Sequence, residues 1–161
     1  VLFICENNFY SVYSPLSVRQ PKNRSITEIV EAMGIPASTG DGNDVYDSYK
    51  RTKKAISEIR NSQGPKFLEF ETYRWREHCG PNFDNHIGYR TEEEFLSWKD
   101  KDPIVLAEQY CLKNGVLNMN EIKTITASTE KQVEEAFNFA EESPYPDSND
   151  ALKYIYAENL N

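Results

Sequence analysis

No run of apolar residues in this 161-residue chain approaches the ~20 needed to cross a bilayer as a helix. The opening run, Val1–Cys5, is too short for the apolar core of a signal peptide and carries no basic flank, so no membrane partner is expected. Cysteine is scarce. Cys5, Cys79 and Cys111 are odd in number and far apart, which argues against a disulfide scaffold and for a reducing, cytoplasmic setting. Positive charge is in deficit, with 18 Lys and Arg against 26 Asp and Glu and a net charge of −8. That balance argues against a nucleic acid or an anionic membrane as the main partner. Internal repeats and low-complexity tracts are also lacking. What remains is ordinary for a globular chain, with 39% hydrophobic and 27% charged residues and enough length for one domain with a real core.

Along that length, strand and helix signals alternate. Val1–Glu6 is a continuous apolar run, the pattern of a parallel strand covered on both faces. Ser25 and Glu28 form a capping box for a short helix ending before Gly34, and Ile35–Thr39 reads as a second strand. Asn43 or Asp44 caps a stronger helix. Its predicted apolar stripe is Val45, Tyr49, Thr52, Ile56 and Ile59, and Gly64-Pro65 stops it. Lys66–Thr72 alternates like a strand. The result is an α/β reading with a parallel sheet flanked by helices. Residues 74 to 90 form a long loop, and loops of that length in compact domains tend to be functional. Beyond it the chain turns helical. Thr91 with Glu94 makes a capping box, Asp102-Pro103 opens a helix that ends at Asn114-Gly115, and Asn118 with Glu121 opens another. The stripe of that last helix is Ile122, Ile125, Val133, Ala136, Phe137 and Ala140, read as core packing, and Ser148–Glu158 is predicted as a final short helix.

Two stretches can carry chemistry. Asn7 and Asn8 fall where the first strand ends, and open α/β sheets collect ligands outside the carboxyl ends of their strands. A carboxamide oxygen there suits a hard cation such as Mg²⁺. The plain alternative is that one Asn caps a turn while the other bonds backbone. Thr72–Cys79 leaves the Lys66–Thr72 strand at the same edge, offering Arg74, Arg76 and His78 to an anionic group. Its plain alternative is a solvated loop with a structural His78. Gly40-Asp41-Gly42-Asn43-Asp44 resembles a cofactor loop, but a tight turn and a helix cap account for every residue in it. Cys79 beside His78 is a formal nucleophile pair, and sequence neighbours rarely hold that geometry.

Several blocks in order, "FICENNFYSV", "TGDGNDVYDSYKRTKKAISEIRNSQGPKFLEFETYRW", His78 and "GYRTEEEFLSWKDKDPI", resemble the C-terminal half of a thiamine diphosphate-dependent 2-oxo acid or acetoin dehydrogenase alpha subunit. The resemblance covers nearly the whole chain and is clearest over residues 1 to 112. It implies the C-terminal part of a thiamine diphosphate-binding fold, followed by a helical C-terminal segment. The whole is one truncated domain, with a sheet part over 1–73, an active-site loop over 74–90 and a helical part over 91–161. The family's diphosphate motif begins with Gly-Asp-Gly and ends in Asn-Asn, and Asn7-Asn8 is similar to that ending. By resemblance Asn8 gives Mg²⁺ its side-chain oxygen and Tyr10 its backbone carbonyl. The Gly-Asp-Gly half is expected upstream of Val1, because Gly40-Asp41-Gly42 follows the Asn pair instead of preceding it.

The same resemblance makes His78 the catalytic-loop residue that contacts the diphosphate, and Arg74, offered by its place after the strand, is expected to bind the cofactor as well. Cys79 stands where mitochondrial relatives carry a regulatory serine. Arg76-Glu77 replaces the family's usual pair, and the stretch from His78 to Tyr89-Arg90 is longer than in those relatives. Implied partners are the beta subunit of the same dehydrogenase and the acyltransferase component of a multienzyme complex. A homo- or hetero-oligomer is expected to hide the first strand, and the piece alone is expected to be inactive. Two rival readings are a non-catalytic α/β interaction module that keeps the fold, and an enzyme using Cys79 and His78 covalently.

Overall fold

Lys66–Thr72 has two aromatics, Phe67 and Phe70, and no residue that breaks a ladder, and it becomes the centre of the sheet. In the computed structural model, which describes residues 1–153, β1 (Leu2–Asn7), β4 (Ala37–Asp41) and β5 (Lys66–Glu71) form a parallel sheet in the order β1-β5-β4. The register pairs Leu2 with Lys66 through Asn7 with Glu71, and Ala37 with Phe67 through Asp41 with Glu71. A small antiparallel hairpin, β2 (Tyr10–Ser11) with β3 (Ser14–Pro15), follows β1 and leads into the single turn of α1 (Leu16–Arg19). The chain divides into two compact units, Val1–Val116 and a second beginning at Leu117.

Local chemistry accounts for most boundaries in the first unit. Ser25 caps α2 (Ile26–Ala32) by accepting the Glu28 N–H, and Gly34 supplies the positive φ of +83° that ends it. Strand β4 starts two residues later than Ile35 because Pro36 has no N–H to give a ladder; its carbonyl instead accepts the Phe67 N–H at 3.0 Å. The strand also runs on to Asp41, so Gly40 and Asp41 are strand end and not loop. Gly42 then turns the chain so closely that its N–H meets the Glu71 carbonyl at 2.8 Å, and a Cβ there would lie 2.8 Å from the same oxygen. Asp44, not Asn43, caps α3 (Val45–Arg60), taking the N–H groups of Tyr46 and Asp47.

Helix α3 packs against the sheet through Ala55, which joins Leu68 and Phe70 of β5 in the core beside Leu2. The predicted stripe is thus displaced at its start. Val45 and Tyr49 face solvent, and the buried line passes through Ala55, a residue too small to stand out in a hydrophobic pattern. Strand β1 is also not covered on both faces. It forms one edge of the sheet among the described residues, and Phe3 and Ile4 are 46% and 53% exposed. Helices α4 (Glu92–Lys99) and α5 (Pro103–Lys113) close the unit, capped by Thr91 and by Asp102 ahead of a proline in the first turn.

The second unit holds α6 (Met119–Glu142), opened by a complete capping box between Asn118 and Glu121. Ile122 is buried, but Ile125, Val133 and Phe137 of the predicted core stripe are exposed. A helix of 24 residues spans about 36 Å, and the described residues of this unit offer no second apolar face that long. Ser148–Leu152 forms a short 3-10 turn in place of the first part of the expected last helix, and the remainder of that expectation falls outside the described residues.

Candidate functional site

A parallel sheet brings all its carboxyl ends to one edge. Asn7 and Asp41 both stand opposite Glu71 there, and the Thr72 N–H donates to the Asn7 carbonyl at 3.0 Å. The segments after β1 and after β5 therefore leave side by side, as the sequence predicts. After β1 the chain makes two successive Asx turns. Asn7 Oδ1 accepts the Phe9 N–H and Asn8 Oδ1 accepts the Tyr10 N–H, each at 3.0 Å. Phe9 and Val12 take positive φ of 62° and 56°, a conformation that bulky residues rarely adopt. The Leu16 N–H closes the hairpin on the Phe9 carbonyl at 2.7 Å.

The two carboxamides differ in direction. Asn7 Nδ2 donates at 2.7 Å to the buried carboxylate of Glu69, which also accepts from Thr39 Oγ1 at 3.4 Å, so Asn7 is tied back into the sheet. Both side-chain oxygens bond backbone, as the plain alternative holds, yet a carboxamide oxygen has two lone pairs and Asn8 keeps one free of its turn. Tyr10 and Pro15 form a non-hydrogen-bonded pair of the hairpin, flanked by the bond from the Leu16 N–H to the Phe9 carbonyl, so the Tyr10 carbonyl points away from β3 and takes no ladder donor.

The 74–90 loop folds on itself around Arg90. This buried guanidinium pairs with the buried Asp84 and donates to the carbonyls of Arg74, at 2.5 Å, and Trp75, at 2.9 Å. The rings of Tyr73, Tyr89 and Phe95 lie 5.2, 5.2 and 5.9 Å from its central carbon. Tyr89 donates to the other Asp84 oxygen at 2.8 Å. One side chain thus joins the loop's beginning, middle and end. Arg74 reaches across to the hairpin, donating to the Val12 carbonyl at 3.1 Å, while its Nε is buried without a partner. Further out, Arg76 lies over the Phe83 ring at 4.0 Å and donates to the Pro81 carbonyl, and Glu77 accepts both N–H donors of Asn82.

Tyr10 is gripped by aromatic neighbours, edge-on to Tyr89 at 5.4 Å and Tyr73 at 6.2 Å, and its hydroxyl donates to Glu94 Oε2 at 2.5 Å. Burial, and after it the bond to Glu94, push the Tyr10 phenol far above the usual tyrosine range. Burial also raises Tyr73 and Tyr89. All three phenols therefore stay protonated at neutral pH and can donate. Glu94 is the capping-box residue of α4, but only half the box forms. Thr91 Oγ1 takes the Glu94 N–H at 3.1 Å, while the Glu94 carboxylate goes to Tyr10.

Of the residues singled out in the sequence, Asn8, Tyr10 and Arg74 come together at the sheet's carboxyl edge. His78 and Cys79 lie on the exposed tip of the loop, and no hydrogen bond among the described residues joins His78 to the other three. His86 is exposed in the short 3-10 turn Asn85–Ile87. Sequence reasoning missed Asp84, Arg90, Glu94 and Glu69 as organisers. Glu69, a lone carboxylate between Leu68 and Phe70 in an otherwise apolar strand interior, was the one local signal. Among the described residues no three His, Cys, Asp or Glu side chains cluster as metal ligands. The oxygens of Asn8 and Tyr10 are nevertheless donors of the kind a hard cation such as Mg²⁺ takes, usually together with phosphate and water. The unpartnered Arg74 Nε is a donor suited to those phosphates.

Residues 1–149 match the sequence model of the family described as "Dehydrogenase E1 component". Similar proteins include the testis-specific mitochondrial pyruvate dehydrogenase E1 component subunit alpha of Rattus norvegicus, 33% identical over 98% of this chain and 39% of its own length. The pyruvate dehydrogenase E1 component subunit alpha of Rickettsia felis is 32% identical over 97% of this chain and 47% of its own. The 2-oxoisovalerate dehydrogenase subunit alpha of Bacillus subtilis is 32% identical over 98% and 47%. The chain spans less than half the length of each of these relatives.

Proposed function

The chain belongs to the dehydrogenase E1 component family, and from that premise we propose that it is the cofactor-facing C-terminal portion of an alpha subunit that oxidatively decarboxylates a 2-oxo acid or cleaves acetoin. The observation that carries this reading is the bond from Arg74 to Val12, which joins the Asn8–Tyr10 hairpin to the 74–90 loop at the ligand-collecting edge of a parallel sheet. Asn8 Oδ1 and the Tyr10 carbonyl hold Mg²⁺ in this reading, and Arg74 and His78 meet the diphosphate. When bound, thiamine diphosphate supplies the electron sink for breaking the bond next to the substrate carbonyl. The residues of this chain hold and orient. Arg74 donates without an acidic partner of its own, and the Arg90–Asp84 pair fixes the course of the loop that carries Arg74 and His78.

The beta subunit of the same dehydrogenase is the proposed partner across the site, with an acyltransferase component joining them in a multienzyme complex. The thiols of Cys5, Cys79 and Cys111 are free, which supports a reducing, cytoplasmic setting. The test is to pair the full-length alpha subunit with its beta subunit, supply thiamine diphosphate and Mg²⁺, and follow reduction of an artificial electron acceptor. Pyruvate, 2-oxoisovalerate and acetoin are the substrates. Turnover of at least one, dependent on both cofactors, is expected. Absence of turnover together with absence of thiamine diphosphate binding overturns the reading in favour of the non-catalytic module.

A further inference from the structure

Glu94 does something that α4 does not need. A glutamate at this position, three residues after the Thr91 cap, can complete a capping box by bonding back to the cap N–H. Here its carboxylate instead takes the Tyr10 hydroxyl at 2.5 Å, a contact spanning 84 residues of sequence. Tyr10 is the first residue of β2, in the turn that also contains Asn8. Its N–H is held by Asn8 Oδ1, its ring by Tyr73 and Tyr89, and its carbonyl points away from β3 without a ladder donor. The turn itself is made of unfavourable backbone, with Phe9 and Val12 at positive φ, so something outside it must hold it.

We propose that Glu94 is a positioning residue for the metal-binding turn. It anchors the Tyr10 side chain so that the Tyr10 carbonyl and the Asn8 carboxamide keep the spacing at which both can reach one divalent cation. This rests on the reading that Asn8 and Tyr10 bind the metal. A tether of this kind acts through the turn's preorganisation, so its loss raises the Mg²⁺ concentration needed and does not abolish binding.

The test uses the full-length alpha–beta assembly and Mg²⁺ as the probe, titrated at fixed thiamine diphosphate and read by quenching of tryptophan fluorescence, with no turnover measurement. Glu94→Ala and Tyr10→Phe are each expected to raise the half-saturating Mg²⁺ about tenfold, the scale of one lost charge-assisted hydrogen bond. The double variant is expected to be no worse than either single variant, because the two share one contact. Glu94→Gln keeps an acceptor oxygen and is expected to stay within about threefold of the parent. Thermal melts on each variant identify any that fails to fold, and the two conservative variants, Glu94→Gln and Tyr10→Phe, keep the test decisive if Glu94→Ala does. Unchanged Mg²⁺ dependence in Tyr10→Phe, or additive losses in the double variant, overturns the tether. Asn8→Ala separates the two levels. If it shifts Mg²⁺ while Tyr10→Phe does not, only the tether is wrong; if neither shifts it, the metal assignment is wrong as well.

Discussion

Replacing Arg90 by methionine keeps much of the side chain's volume and removes its charge and donors. Four contacts are then lost: the charge partner of the Asp84 carboxylate, which keeps only the Tyr89 hydroxyl, the donors to the carbonyls of Arg74 and Trp75, and the cation over the surrounding ring faces. Asp84 and Arg90 are 3% and 5% exposed, so solvent cannot replace what is lost. Removing one partner of a buried pair costs about 3–5 kcal/mol, because an uncompensated charge stays behind. Two orphaned carbonyls add to this, while relaxation of the loop toward water gives part of it back. A net loss of about 4 kcal/mol, confined to the loop, follows.

Hydrogen exchange on the full-length alpha–beta assembly reads that loss directly. Amides of residues 74 to 90 are expected to exchange about a thousandfold faster in Arg90→Met, while those of β5 change little. Asp84→Asn keeps the shape and leaves the guanidinium unpaired, so it is expected to give a similar acceleration. The double variant Asp84→Asn/Arg90→Met is expected to lose much less than the sum of the two. Loop exchange accelerated less than fivefold in Arg90→Met would refute the argument. It would mean that the aromatic packing holds the loop and the charged pair does not.

Three further outcomes are expected, the first from the family resemblance and the other two from the structure. His78→Ala is expected to weaken thiamine diphosphate binding to the alpha–beta assembly by about one to two orders of magnitude, the scale of a charge-assisted hydrogen bond, while His86→Ala leaves it unchanged, as calorimetric titration of both variants will show. Tyr10, Tyr73 and Tyr89 have their phenols raised in the fold. Their contribution to stability is full below the unfolded tyrosine pKa of about 10 and is lost as pH rises through the folded values, so denaturant midpoints should fall above that pH, and fall less in Tyr10→Phe. Among the thiols, exposed Cys79 should alkylate well before Cys5, whose thiol is raised first by burial and then by Glu69, and peptide mass mapping over a time course will show the order.

Sequence order and local chemistry made the scaffold legible. Caps at Ser25, Asp44, Thr91, Asp102 and Asn118 each require only neighbours within three residues, and each forms. Although which strands are neighbours was not legible, the parallel direction of β1 and β5 was, because Asn8 and Thr72 were expected to leave the sheet at one edge. Burial was less so. The Val1–Glu6 run reads as a strand covered on both faces, yet Phe3 and Ile4 are exposed, because burial depends on which elements surround a strand and not on its own letters. Val45 and Tyr49 mislead in the same way, since the helix turns its Ala55 line to the sheet.

The candidate site divides along the same line. Whereas Tyr10 entered only through the family resemblance, Asn8 and Arg74 were singled out because each follows a strand end, and a parallel sheet sends every strand end to one edge. Arg90, Asp84 and Glu94 were not, because what they do is defined only by residues distant in sequence: Arg90 reaches back 16 residues to Arg74, and Glu94 reaches back 84 to Tyr10. Within the sequence, Thr91–Glu94 carries the signature of a capping box, and that local reading was sufficient to hide the long-range one. A carboxylate at the third position of a helix has two competing donors, the backbone N–H of its own cap and any buried hydroxyl within reach. The half-buried hydroxyl wins here because Tyr10, flanked by Tyr73 and Tyr89, has less access to water, whereas the N–H at an exposed helix start can bond solvent. The same competition predicts that Tyr10→Phe frees Glu94 to complete its own capping box, so the start of α4 should exchange its amides no faster in that variant than in the parent. Faster exchange there would show that Tyr10 stabilises the helix, and that the dependence runs opposite to the direction argued.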